Sequence, residues 1–187
     1  MLRTNTEFLS YVDTLYQTYR PEISLQSFEK DSLLLRQGEK NHRVFVIKEG
    51  IAKCFFLEEN GKDYILEFMS KGQVLGEIEM IRQIDCLCKV AALTALQVYV
   101  IPASIFKQLL SKDLTLNKIL LAELAERIIN TSSRASFQQL YTVEHGLAKL
   151  LELQEKQGMK ISKEDMAAYL GITLRSLNRL LKSFDNS

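Results

Sequence analysis

Apolar positions along the chain fall into three textures. At the N-terminus, Phe8, Leu9, Val12, Leu15 and Tyr16 recur at helical spacing, which predicts an amphipathic helix over about Thr4 to Tyr19, ended by Pro21. From Leu25 to Pro102 the apolar runs become short and rich in β-branched and aromatic residues: Leu33 to Leu35, Val44 to Ile47, Ile51 to Leu57, Tyr64 to Met69, Val90 to Leu93, and Val98 to Ile101. Gly38, Gly50, Gly61 and Gly72 punctuate them at intervals of roughly 8–12 residues, the spacing of an all-β roll or barrel. Asn60-Gly61 reads as a two-residue hairpin turn, because both central positions of that turn need positive φ.

After Pro102 the period becomes helical. Ile105, Phe106, Leu109 and Leu110 predict a short helix, and a longer one is expected from Leu114 to Leu140. Its first part, Ile119 to Ile129, is apolar around much of its circumference, so it needs two partners rather than one. The β-roll can cover one face. The other, through Leu121, Leu124 and Ile128 at heptad-like spacing, suits the same helix of a second chain. A helix buried inside one larger monomer is the rival explanation. Val143, Leu147, Leu150 and Leu151 mark a further helix closed by Gly158.

The segment Ile161 to Lys182 carries the most specific pattern. Ser162 can cap a helix, with Asp165 reaching back to the cap residue's amide. Ala167 is small where two helices must approach. Gly171 falls where a helix ends in the left-handed conformation, and Ile172 points inward. Thr173 then caps a second helix, whose Leu177, Leu180 and Leu181 face the core. This is the order of a helix-turn-helix, although an ordinary helical hairpin also uses glycine turns and leucine spacing. In a DNA reader the second helix enters the major groove. Thr173 and Ser176 are then expected on phosphate, Arg175 and Arg179 on guanine, Leu174 on a thymine methyl, and Lys182 on phosphate.

The pattern predicts an α+β architecture: a β-roll of jelly-roll type with flanking helices (1–113), a dimerisation helix (114–140), and a helix-turn-helix domain (141–187). Composition narrows the function. The 187 residues are 47% hydrophobic and 25% charged, with net charge +1, so any nucleic-acid surface must be a local basic head rather than a coated face. The apolar stretches are interrupted by charge, which argues against a membrane span, and Met1 to Ser10 lacks the core of a signal peptide. Three cysteines, Cys54, Cys86 and Cys88, make no fully paired framework and point to a reducing, cytoplasmic setting.

These parts, in this order, resemble the Crp/Fnr family of bacterial transcription regulators. Arg36-Gln37-Gly38-Glu39, Val46 to Gly50, Gly76-Glu77-Ile78, Val90 to Thr94 and the Ile161 to Lys182 segment carry the resemblance. It implies a non-enzymatic homodimeric regulator with a small-molecule pocket in each roll, whose partners are DNA, an effector and RNA polymerase. The pocket is expected at Gly76, Glu77, Ile78, Cys86, Leu87, Cys88 and Lys89. In cyclic AMP-binding members a Gly-Glu pair opens a phosphate cassette that an Arg-Ser pair completes. Here Cys86-Leu87 stands where the Arg-Ser pair is expected, which argues against cyclic AMP. Lys89 faces outward if its strand continues into Val90. Arg179 keeps the family's position, whereas Leu174-Arg175-Ser176 departs from the usual Arg-Glu before Thr or Ser, so a different operator is expected. The chain stops at Asp185-Asn186-Ser187 without the family's β-hairpin wing.

Other chemistries fit less well. An iron–sulfur cluster normally needs four cysteines, and this chain has three. A thiol switch at Cys86 or Cys88 is a separate reading. A cupin-type metal enzyme needs clustered histidines, but only His42 and His145 exist, one in each half. The rival to a DNA reader is a cyclic-nucleotide-domain-like regulatory module that has lost DNA binding. The broken cassette, the ending and the near-neutral charge favour it, and the intact helix-turn-helix disfavours it.

Overall fold

The apolar runs of the roll do not alternate with polar residues, and the layering of the fold explains why. The computed structural model describes residues 2–59 and 61–184. Among the described residues eight strands form two antiparallel four-stranded sheets: β1(Ser24–Phe28), β8(Leu96–Pro102), β3(Arg43–Glu49) and β6(Val74–Leu75) in one, and β2(Leu33–Leu35), β7(Lys89–Ala92), β4(Ala52–Leu57) and β5(Asp63–Met69) in the other. Between them lies a core that includes Phe45, Ile47, Val98, Val100, Cys54 and Val90. The opposite face of the first sheet is also buried: Val44, Val46, Tyr99 and Ile101 pack under helices. Successive residues of β3 and β8 therefore serve two cores in turn, which a continuous apolar run encodes. The outer face of the second sheet does the same through Phe55, Ile65, Phe68 and Ala91, packed against the C-terminal helices. The α+β class expected from the periodicity is the one observed.

The described residues also form seven helices: α1(Thr6–Thr18), α2(Glu77–Arg82), α3(Ala103–Lys112), α4(Leu114–Leu140), α5(Val143–Lys156), α6(Lys163–Leu170) and α7(Leu174–Phe184). α1 is capped by the Asn5 carboxamide, which accepts from Phe8 N at 2.9 Å. It buries Phe8, Leu9, Val12 and Leu15. The short helix α2 was not foreseen, since six residues between strands give no period to detect. In the β4–β5 connection Gly61 adopts φ +75°, and Glu58 N donates to Lys62 O across the turn. Its neighbour Asn60 lies outside the described residues, as do Asp185, Asn186 and Ser187.

The 27-residue α4 buries Leu116, Ile119, Leu120 and Glu123. It leaves Leu114, Leu121, Ile128 and Ile129 between 58% and 83% exposed. Leu124 departs from the expected seam: it is half-buried against the core that α4 shares with α1 and the roll. The helical period accounts for this. Residues seven apart return to nearly the same line, so Leu121 and Ile128 align, whereas a residue three positions on turns about 60° away.

Two glycines with similar dihedrals differ sharply in surroundings. Gly72 has φ +79°, and a Cβ there would collide with the carbonyl of Asn5, the residue whose amide donates to Lys71 O and whose side chain caps α1. Gly38 has φ +78° and open space around it. Gly72→Ala is expected to destabilise the protein by about 2–4 kcal/mol, and Gly38→Ala by about 1 kcal/mol, the backbone strain alone. Denaturant unfolding of the two variants checks this. Equal losses would remove the steric role given to the Asn5 contact.

Candidate functional site

Two regions gather the candidate residues. The first is a cavity of about 320 Å³ in the roll, closed on one side by α4. Gly76, Glu77, Ile78, Leu87 and Cys88 line it, as does Cys54. Cys86 and Lys89 are not among its lining residues. Cys86 sits in the core between the sheets, and its backbone is tied to Gly38 and Glu39. Lys89 points to the other side of β7, its ammonium 5.9 Å from the centre of the Phe55 ring. Strand alternation separates it from Cys88, since adjacent residues of a strand face opposite ways.

Gly76 enters α2 with φ +83° and places Glu77 at the cavity floor, 1% exposed. Burial pushes the Glu77 carboxyl above the usual carboxylate range, and the guanidinium of Arg127 works against that. Arg127 comes from α4 and donates to the Glu77 carboxylate and, at 3.0 Å, to the Val74 carbonyl. Its Nε lies 3.5 Å from Glu67. Arg3 joins from the N-terminus, 3.3 Å from Glu123 and 3.8 Å from Glu67. Burial alone would lower the pKa of Arg127, but Glu77, Glu67 and Glu123 outweigh it and hold the guanidinium protonated. Glu79, also buried, accepts from Leu87 N at 3.0 Å and fastens the following loop to α2.

Sequence reasoning missed Arg127 and Arg134. The available signal was the presence of arginines on a helix face read only for its leucines. Arg134 donates to the Leu66 carbonyl of β5 and, at 2.7 Å, to the Tyr169 carbonyl of α6. Its guanidinium lies 4.0 Å from the Tyr169 ring centre and 5.3 Å from that of Tyr64. Tyr169 also stacks on Phe68 at 5.2 Å.

The second region is the C-terminal helix pair. Ser162 Oγ caps α6 by accepting from Asp165 N at 3.0 Å. The Asp165 carboxylate takes the Lys53 ammonium of β4 rather than turning back to the cap, because α6 lies against the roll. Gly171 ends α6 with φ +69°. Thr173 Oγ1 accepts from Ser176 N at 3.1 Å and lies 3.0 Å from Ser176 Oγ, so the two hydroxyls engage each other at the start of α7. Leu177 is fully buried, with Leu180 and Leu181 packed against the same core. Thr173, Leu174, Arg175, Arg179 and Lys182 are exposed, and Ser176 is half-buried. Arg175 and Arg179 are one turn apart on the outward side of α7.

The histidines lie apart. His145 packs against Tyr141 and Phe137, and the His42 carbonyl accepts from Ala103 N. Among the described residues no three His, Cys, Asp or Glu side chains are arranged to hold a metal. Nor is any helix among them long and apolar enough to cross a membrane.

Comparisons with known proteins agree with this arrangement. The model of the cyclic nucleotide-binding domain matches residues 25–113. The chain is 24% identical over 185 residues to the cAMP-activated global transcriptional regulator CRP of Escherichia coli O157:H7, covering 93% of this chain and 88% of that protein. The structure of the c-di-GMP responsive global regulator CLP of Xanthomonas campestris superposes with TM-score 0.79 at 16% identity, covering 97% of this chain and 92% of that one. That of a transcriptional regulator of the Crp/Fnr family from Eubacterium rectale gives 0.77 at 17% identity, covering 97% and 83%. With a cyclic nucleotide-binding domain over residues 25–113, the long helix and the C-terminal helix pair in this order, the chain is similar over nearly its whole length to the Crp/Fnr transcription regulators, a family of regulators and not of enzymes.

Proposed function

We propose that the protein is a homodimeric, sequence-specific DNA-binding regulator that reads its operator with α7. The observation that carries this is the exposed pair Arg175 and Arg179 on a helix whose entry is fixed by a capped left-handed turn. That geometry offers two guanidinium forks to the major groove, while Thr173 and the first turn of α7 meet phosphate. Ser176 supports this by holding Thr173, and Lys182 adds a phosphate contact. Leu174, 40% exposed in the first turn of α7, is available for a thymine methyl. The second copy docks along Leu121, Ile128 and their exposed neighbours, with Leu124 bracing the seam from the roll side. In this reading residues 1–113 sense, 114–140 dimerise and 141–187 bind DNA. The protein acts in the cytoplasm, and contact with RNA polymerase rests on the family alone.

The effector cavity is proposed at Gly76, Glu77, Ile78, Leu87 and Cys88, and its ligand is not cyclic AMP. A cyclic phosphate needs a cation and donors. The cavity's guanidinium groups are engaged: Arg127 with Glu77 and Glu67, Arg3 with Glu67 and Glu123, Arg134 with two carbonyls. A phosphate would have to displace Glu77 from Arg127 and leave a buried carboxylate unpaired. Titration calorimetry with cyclic AMP is expected to show no binding; micromolar affinity would overturn this part of the reading.

Arg127→Ala strands the Glu77 charge and is expected to destabilise the protein by about 3–5 kcal/mol at pH 7. The folded-state pKa of Glu77 lies above its unfolded value, so the fold favours the neutral carboxyl. The penalty for the ionised form therefore grows as pH rises through the folded pKa and fades below it. Denaturant unfolding should show a smaller loss at pH 5 than at pH 7. An equal loss would mean that Glu77 is not the stranded charge.

DNA reading is tested by selecting bound sequences from random duplexes at two salt concentrations. An enriched inverted repeat with half-sites about one helical turn apart is expected. Salt-sensitive binding with no enriched sequence would favour the module without DNA recognition. On the selected site, Arg175→Ala with Arg179→Ala should weaken binding at least about tenfold, each guanine contact being worth about 1–3 kcal/mol. The dimer should remain intact, and unchanged affinity would sink the assignment of these arginines.

A further inference from the structure

Cys54 lies in β4 and Cys88 just before β7, the neighbouring strand of the same sheet, and their sulfurs lie 2.8 Å apart. Both thiols are free, and each side chain is less than a tenth exposed. Both also line the 320 Å³ cavity, so the pair is screened from bulk solvent yet adjoins a space that admits a small molecule. Cys86, the sequence neighbour of Cys88, is not part of the pair. It lies off the cavity, and burial, aided by Glu79, pushes its thiol up to about 11. The sequence pointed to Cys86-x-Cys88, whereas the fold joins Cys88 to a residue 34 positions away.

We propose that Cys54 and Cys88 form a modification site for a small hydroperoxide, which converts the pair into a reversible intramolecular disulfide. The hydrogen bond to Cys88 and burial push the Cys54 thiol well above its ordinary range; Cys88, outside the strand and on the cavity wall, is the attacking sulfur in the step proposed. Its thiolate takes the distal peroxide oxygen, and the O–O bond breaks. For hydrogen peroxide, the leaving hydroxide collects the proton that Cys88 released and departs as water. Cys54 then attacks the resulting sulfenic sulfur. The S–S bond forms, the S–O bond breaks, and the second hydroxide leaves as water with the Cys54 proton. The two sulfurs together lose two electrons, and the peroxide gains them. The sulfurs need only close from 2.8 Å to the roughly 2.0 Å of a disulfide. The bond would join β4 to the entry of β7 in the cavity wall, beside Glu67 of β5, the register partner of Cys54.

This inference does not depend on DNA recognition, and its test reads mass alone. The full chain is treated with a small excess of hydrogen peroxide, quenched, alkylated and analysed intact and as peptides. The expected product has lost two hydrogen atoms, carries one alkyl group on Cys86, and joins the Cys54 peptide to Cys88. Dithiothreitol should restore all three alkylation sites. Cys86→Ser should form the link as the unmodified chain does, whereas Cys54→Ser should lose it completely. A Cys86–Cys88 link, a disulfide between chains, or accumulation of sulfinic acid without a link would each overturn the proposal.

Discussion

Two guanidinium groups on one face of α4, Arg127 and Arg134, hold the molecule's parts in register. They are seven residues apart, hence nearly in line along the helix. Arg127 reaches into the roll and neutralises Glu77 where water cannot. Arg134 reaches past the roll's edge and takes one carbonyl from β5 and one from α6. The first contact fixes how α4 lies over the cavity, and the second fixes where the helix-turn-helix sits relative to both. A shift of α4 along or about its axis would disturb both sets of partners together. The cavity and the C-terminal helix pair thus share one rigid element, and anything that rearranges the ion network acts on a helix that also touches Tyr169.

The C-terminal pair was legible in the sequence because its determinants are local. Ser162, Gly171 and Thr173 each answer a demand of the backbone within a few residues, and each does so in the structure. The capping role given to Asp165 failed for the opposite reason: its partner Lys53 is distant in sequence, and no pattern near Asp165 announces it. The roll was legible as short runs between glycines, and the long helix as an apolar period. The outward aim of Lys89 followed from strand alternation once the strand was known to begin there.

The cavity was less legible. Glycine and glutamate at 76 and 77 could be placed from the family pattern, but the groups that engage Glu77 and Glu67 come from α1's leading segment and from α4. A single sequence offers no spacing rule for a salt bridge across such separations. The same holds for Cys54 and Cys88, brought together by strand pairing alone. Leu124 shows a subtler limit. Its spacing from Leu121 fits a heptad, yet the helix already has a neighbour on that side, and the nearer partner takes the residue.

The second sheet is buried on both faces, and its outer layer is completed by Leu147, Leu150, Met166 and Leu177. Phe55, Ile65 and Phe68 therefore belong to the roll by sequence and to the C-terminal helices by packing. A division of the chain into modules along its length does not divide this core. A roll cut free of α5 to α7 would present a contiguous aromatic and aliphatic surface to water, the kind of patch that drives self-association. The roll is not a detachable part: its solubility is supplied by the helices that follow α4.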